Sequence, residues 1–171
     1  MAGDDVLTGQ AVNIGQSSLP SSWRTVQQAD IDAFGKSTDD MDPMHVEPAW
    51  AAANGPFGGT IAFGFWTLAM LTSMVREIAG TSLGTDVQAH FGVNYGFNRV
   101  RFVEPVRVGA RIRAIVTPIH VDTSHAGRIL TTMDVKVEIE GSARPALVAE
   151  WLSLTILPTE SGRLDGFRRA G

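Results

Sequence analysis

Apolar positions along the chain follow three successive patterns. Residues 1–22 show no periodicity and are rich in Gly, Ser and small polar residues, so a surface segment is expected before structure settles at Trp23-Arg24-Thr25-Val26. Ile31 and Phe34, with Asp30 and Asp32 beside them, predict a short helix whose acids sit at its positive end. Gly35 is expected to weaken it, and Ser37-Thr38-Asp39-Asp40 to lead into a loop. Proline disfavours the α region in the residue before it, so Asp42-Pro43 places the acidic cluster on a turn. Glu47 to Pro56 reads as a second short helix, with Pro48 at its first position and Asn54-Gly55-Pro56 as its stop. From Gly58 to Val75 the chain is apolar nearly all round, followed by Arg76, Glu77 and Gly80 as a C-terminal cap. One long helix wrapped by other structure is expected there.

The third pattern is a run of segments rich in Val, Ile, Thr and aromatics: 87–94, 97–103, 111–121, 128–140 and 146–157. Each is broken by Gly, Pro or Asp, which predicts five successive strands. Met133 to Glu140 alternates strictly, so one face is buried and the other faces water. Helices first and strands afterwards indicate an α+β fold with an antiparallel β-sheet wrapped around a long central helix, the hot-dog arrangement. One domain is expected over residues 23–158, preceded by the surface segment 1–22 and followed by a C-terminal tail, 159–171, that frays. No internal repeat is present.

Composition narrows the class. Hydrophobic residues make up 44% of the 171 residues and charged residues 19%, values of an ordinary folded protein. A formal charge of -4 argues against nucleic acid and anionic membrane surfaces as partners. There is no cysteine, which removes disulfides, thiolate nucleophiles and thiolate metal sites. The N-terminus lacks a basic region and an apolar stretch, so a cytoplasmic location is the default expectation. No formal charge occurs between Glu47 and Arg76. Pro48, Asn54-Gly55-Pro56 and Gly58-Gly59 interrupt that span, leaving about fifteen apolar residues against the roughly 20 that cross a bilayer.

Candidate chemistry centres on Asp39, Asp40, Asp42 and His45. A solvated acidic loop with capping aspartates is one reading. A metal site is disfavoured, because the glycine and terminal glutamate of a calcium loop are missing and no second histidine lies one helical turn from His45. The third reading is an acid–base pair, with Asp40 and His45 directed at one water. Such a pair needs a group to stabilise negative charge building on the substrate. Gly58, Gly59 and Gly64 at the start of the apolar helix offer free N–H donors, although glycines there also serve close packing. Arg99, Arg101, Arg107, Arg111 and Arg113 form a second cluster, read either as a solvated sheet face or as attraction for coenzyme A phosphates. His90, His120 and His125 have no matched partners and read as structural or surface residues.

Three segments carry a family resemblance. Asp40-Met41-Asp42-Pro43-Met44-His45 resembles the Gly-Asp-x-Asn-Pro-x-His motif of the MaoC-like, or (R)-specific enoyl-CoA hydratase, family. Pro56 to Gly64 is similar to its PFGG-x-I-A-H-G segment, and Val93 to Phe102 to its NYG-x-x-x-VRF strand pair. The resemblance spans roughly residues 25 to 157. It implies a dimeric hot-dog protein that reversibly adds water, syn, to a trans-2-enoyl thioester to give an (R)-3-hydroxyacyl thioester. Asp40 and His45 would hold and deprotonate the water, and the Gly64 N–H would bind the thioester oxygen. Thr72, Asn94, Arg99 and Arg101 would contact an acyl-CoA or acyl-carrier-protein substrate, with no metal or redox cofactor. Three positions depart from the family pattern: Asp39 replaces Gly, Asp42 replaces Asn, and Phe63 replaces His. These departures keep open a non-catalytic acyl-thioester-binding subunit, and within the same fold a thioesterase is the nearest rival chemistry. Acyl chain length, carrier and pathway are not encoded in these motifs.

Overall fold

Alternating residues in the C-terminal half build the sheet. The computed structural model describes residues 14–82 and 91–157. Its elements are β1 (Arg24–Thr25), α1 (Gln28–Thr38), α2 (Pro43–Val46), α3 (Pro48–Asn54), α4 (Gly64–Ala69), α5 (Leu71–Ser82), β2 (Phe91–Phe102), β3 (Arg111–Asp122), β4 (Arg128–Ile139) and β5 (Leu147–Ile156). The five strands form one antiparallel sheet in the order β1-β3-β4-β5-β2. Ile112, Ala114 and Val116 of β3, Met133, Val135 and Val137 of β4, and Leu147, Ala149 and Trp151 of β5 are buried. Their odd-or-even neighbours, including Asp134, Lys136 and Glu138, face outward, as the period of two requires.

Helix α5 lies against β3. It buries Leu71, Met74 and Ile78, one stripe at helical spacing, while Thr72 and Arg76 stay exposed. With Trp66, Phe63, Val26 and Ile31 this stripe completes the core under the sheet. The architecture is the α+β hot-dog fold. Residues 15–21 extend along the β1 side of β3: the N–H groups of Gly15, Ser18 and Ser21 donate to Pro118, Val116 and Ala114 at 2.8 to 2.9 Å. That edge is thereby blunted, whereas the outer edge of β2 has no partner strand among the described residues.

Several local expectations are corrected. Segments 87–94 and 97–103 are not two strands: one strand, β2, runs through Asn94-Tyr95-Gly96 and absorbs it as register shifts against β5, and residues 87–90 lie outside the described residues. The fifth strand is instead the short β1. The long helix expected from Gly58 is two helices, α4 and α5, divided at Met70. Gly58 adopts φ 67°, in the left-handed region, and residues 60–62 run extended beside 106–108 through Ala62 N–H to Val106 O (2.7 Å) and Val108 N–H to Thr60 O (2.9 Å). Helix α5 also continues through Gly80 rather than ending there. Gly35, expected to weaken α1, is buried within it. A Cβ at Gly35 would lie 2.7 Å from the Asp40 carbonyl oxygen and 3.1 Å from the Phe63 ring, so the glycine permits a close approach.

Candidate active site

The turn after α1 depends on one left-handed residue. Asp39 closes the helix at φ 57°, and the Asp40 N–H then donates back to Gly35 O at 2.9 Å. Glycine takes this conformation without penalty, and aspartate is among the few other residues that tolerate it. The family's Gly-to-Asp change at Asp39 therefore keeps the backbone path. Asp42 caps α2, its carboxylate accepting the Met44 N–H at 2.8 Å. The Asn-to-Asp change preserves that bond as well. His45 thus lies inside the one-turn helix α2, just before the longer α3.

His45 is tied at both ends. Its Nδ1 is 2.7 Å from the Ile61 carbonyl, which can only accept, so Nδ1 carries the hydrogen and Nε2 is left to take up a proton. Its backbone carbonyl accepts from Gln28 Nε2 at 2.8 Å. Gln28 Oε1 in turn accepts from the buried Thr60 hydroxyl at 2.6 Å. Gln28 and Thr60 therefore join α1, α2 and the extended 60–62 segment, a role that sequence reasoning missed. Thr60 falls within a recognisable motif, but nothing local marks Gln28.

His45 and Gly64 line one cavity of about 300 Å³, together with Phe57, Ile61, Ala62, Thr67, residues 102–106 and Ala146. Most of this lining is apolar. Glu104 is held by Arg144 at 3.3 Å. Gly64 is the first residue of α4, so its N–H has no acceptor within the helix. A Cβ there would sit 3.1 Å from the Phe102 ring. Gly58 and Gly59 do not begin a helix. They lie against the Arg107 guanidinium, which donates to Gly58 O at 2.6 Å.

The other predicted residues are distributed differently. Asp40 is exposed and does not line the cavity, although its carbonyl crowds the Gly35 α carbon beside Phe63. Thr72 is exposed on α5, outside the cavity. Asn94 on β2 accepts the Trp151 indole N–H at 2.6 Å. Arg99 pairs with Asp134 at 3.4 Å and Glu150 at 3.8 Å on the outer sheet face, where Arg101 is also exposed. Arg111 pairs with Glu140, and Arg113 with Glu138, each at 2.8 Å. Arg113 also covers the Trp23 ring at 4.3 Å. Among the described residues, no three His, Asp or Glu side chains gather to hold a metal. No helix among them is long and apolar enough to cross a membrane.

The chain resembles known proteins in sequence and in fold. Residues 10–140 match the family described as MaoC-like domain. Nodulation protein N of Rhizobium leguminosarum bv. viciae is 42% identical over 82% of this chain and 85% of its own length. The 3-hydroxyacyl-thioester dehydratase Z of Mycobacterium tuberculosis is 41% identical over 82% of this chain and 89% of its own. Among solved structures, the (R)-hydratase from A. caviae involved in PHA biosynthesis superposes with a TM-score of 0.66 at 22% identity. That match covers 87% of this chain and 99% of the other. The chain belongs to the MaoC-like dehydratase family.

Proposed function

We propose that the protein is an (R)-specific enoyl-thioester hydratase, working reversibly as a 3-hydroxyacyl-thioester dehydratase. The observation that carries this reading is the meeting of His45 and Gly64, the first residue of α4, on one largely apolar cavity. A water between the Asp40 carboxylate and His45 Nε2 loses a proton as its oxygen bonds to the β carbon of a trans-2-enoyl thioester. The electron pair moves to the thioester oxygen, where the Gly64 N–H stabilises it. A proton delivered to the α carbon from the same face completes the syn addition. The apolar walls accept the acyl chain, and the relative named as a 3-hydroxyacyl-thioester dehydratase supports the substrate class.

The same proposal includes a homodimer and an acyl-CoA or acyl-carrier-protein substrate. The open edge of β2 carries exposed Tyr95 and Phe102, and Phe65 packs edge-on to Phe102 at 5.8 Å while remaining exposed. A second copy would cover this aromatic edge and bound the cavity that lies beside Phe102. Arg101, for which no acidic partner occurs among the described residues, is the arginine best suited to a coenzyme A phosphate.

The test is loss of enoyl absorbance on adding trans-2-enoyl-CoAs. His45→Ala and Asp40→Asn are each expected to lower kcat/KM by about 10² or more. Unchanged turnover in both variants would sink the assignment. One observation favours the second reading, a non-catalytic acyl-thioester-binding subunit: Asp40 does not line the cavity within a single chain. Tight acyl-CoA binding without turnover would establish that reading, and thiol release from saturated acyl-CoA would point to a thioesterase.

A further inference from the structure

We propose that Phe63 is a positioning residue for His45, the apolar wall that holds the imidazole in one orientation and one tautomer. The Phe63 and His45 rings lie 3.9 Å apart between centroids, inclined at 33°. Phe63 is only 4% exposed and is backed on another side by Phe34, with ring centroids 5.3 Å apart. It reaches this place because Gly35 lacks a side chain, since a Cβ there would press on the Phe63 ring. The Ile61 carbonyl anchors Nδ1, but a single hydrogen bond leaves the imidazole plane free to swing about it. Contact with a buried flat face removes that freedom. Ile61 and Phe63 alternate with Ala62 on an extended segment, so their side chains share one side of it. The run Ile61-Ala62-Phe63-Gly64 therefore supplies the tautomer anchor, the ring wall and the free N–H in succession. A polar histidine at position 63, the usual family residue, is replaced by a ring with no proton to exchange. His45 is then the one histidine ring in this contact.

The kinetic consequence rests on the hydration reading, whereas the structural one does not. The full chain is labelled with ¹⁵N-histidine, and nitrogen shifts report the tautomer of each of its four histidines, with His45→Ala marking the signal concerned. The parent is expected to show neutral His45 as a single Nδ1–H tautomer. Phe63→Leu, apolar but without a flat face, is expected to show mixed tautomers and a kcat lowered about tenfold, with KM within about twofold. Phe63→His, which restores a planar ring, is expected to keep the single tautomer and a kcat within about threefold of the parent. A single tautomer with parental kcat in Phe63→Leu would overturn the proposal, as would losses in Phe63→His equal to those in Phe63→Leu. If Phe63→Leu does not fold, the tautomer in Phe63→His decides alone: single supports the proposal, mixed overturns it. If the parent and His45→Ala turn over enoyl-CoA alike, the hydration reading fails while the tautomer measurement still decides the role of Phe63.

Discussion

Two polar clusters stand out along this chain, and the fold treats them in opposite ways. Along the segment from Asp39 to Gly64, His45 and Gly64 come to line one cavity while Asp39, Asp40 and Asp42 stay exposed. The arginines between 99 and 113 mostly spread over the outer sheet face, where Arg99, Arg111 and Arg113 each find a carboxylate. Ionisable groups are denser in the arginine cluster, six in residues 99–113 against five in residues 39–64. What differs is how their polar atoms are held. Around His45 the partners are the Ile61 carbonyl and the half-buried Gln28, itself bonded to buried Thr60, all placed by the chain path. On the sheet the partners are side chains with freedom to rearrange, worth about 0–1 kcal/mol per exposed pair. Arg99 and Arg101 also line a cavity, of about 880 Å³, so what distinguishes the candidate site is the convergence of His45 and Gly64 with polar atoms held by the chain path.

Substitution of the glycine that allows this convergence should have the largest effect on stability. Gly35→Ala places a methyl 2.7 Å from the Asp40 carbonyl oxygen and 3.1 Å from Phe63. Overpacking costs roughly 1–3 kcal/mol, and improved helix propensity returns about 1. A lower urea midpoint is expected, together with reduced enoyl-CoA turnover as the Asp40 turn and Phe63 are displaced. A variant as stable and active as the parent would show that the turn is not held by this contact. The next effect is smaller and separates capping from charge. Asp42→Ala removes the cap of α2 and should cost about 1 kcal/mol, whereas Asp42→Asn, which keeps an accepting oxygen, should change stability by only a few tenths. Equal losses in thermal unfolding would mean that the negative charge, and not the Met44 N–H bond, matters at this position.

The sheet was legible wherever alternation was strict, as from Met133 to Glu140, because a period of two assigns each side chain to a face. The motif residues His45 and Gly64 were legible too, and the structure brings both to the cavity. What escaped was set by distant partners or by segments without periodicity. An apolar run carries no signal for a break at Met70, and the extended path of residues 60–62 depends on pairing with 106–108, more than forty positions away. Asn94-Tyr95-Gly96 looked like a turn because its residue types favour one, yet pairing with β5 carries it through as an irregularity in a single strand. Gln28 gave no signal because its two contacts at the site, the Thr60 hydroxyl and the His45 carbonyl, lie 32 and 17 positions along the chain.

The smallest expected effect tests the other side of the comparison, the self-neutralised sheet face. Glu138 receives hydrogen bonds from Lys136, the largest influence, and from Arg113, and together these hold its carboxyl below its ordinary value against the opposing effect of burial. A carboxyl whose folded pKa is depressed stabilises the protein above its unfolded pKa and loses that contribution as pH falls through the folded value. Stability should therefore fall on acidification below about pH 4.5, with Glu138 supplying part of the slope. Glu138→Gln removes that part, so the difference in stability between parent and variant should shrink as pH drops from 7 towards 3. At neutral pH the difference should stay within about 1 kcal/mol, because both cationic partners retain access to water, and it should diminish in added salt. Urea unfolding at a series of pH values measures it. A difference that persists unchanged at pH 3, or that salt does not reduce, would mean that Glu138 contributes packing rather than charge, and that this face resembles the site more closely than its ion pairs imply.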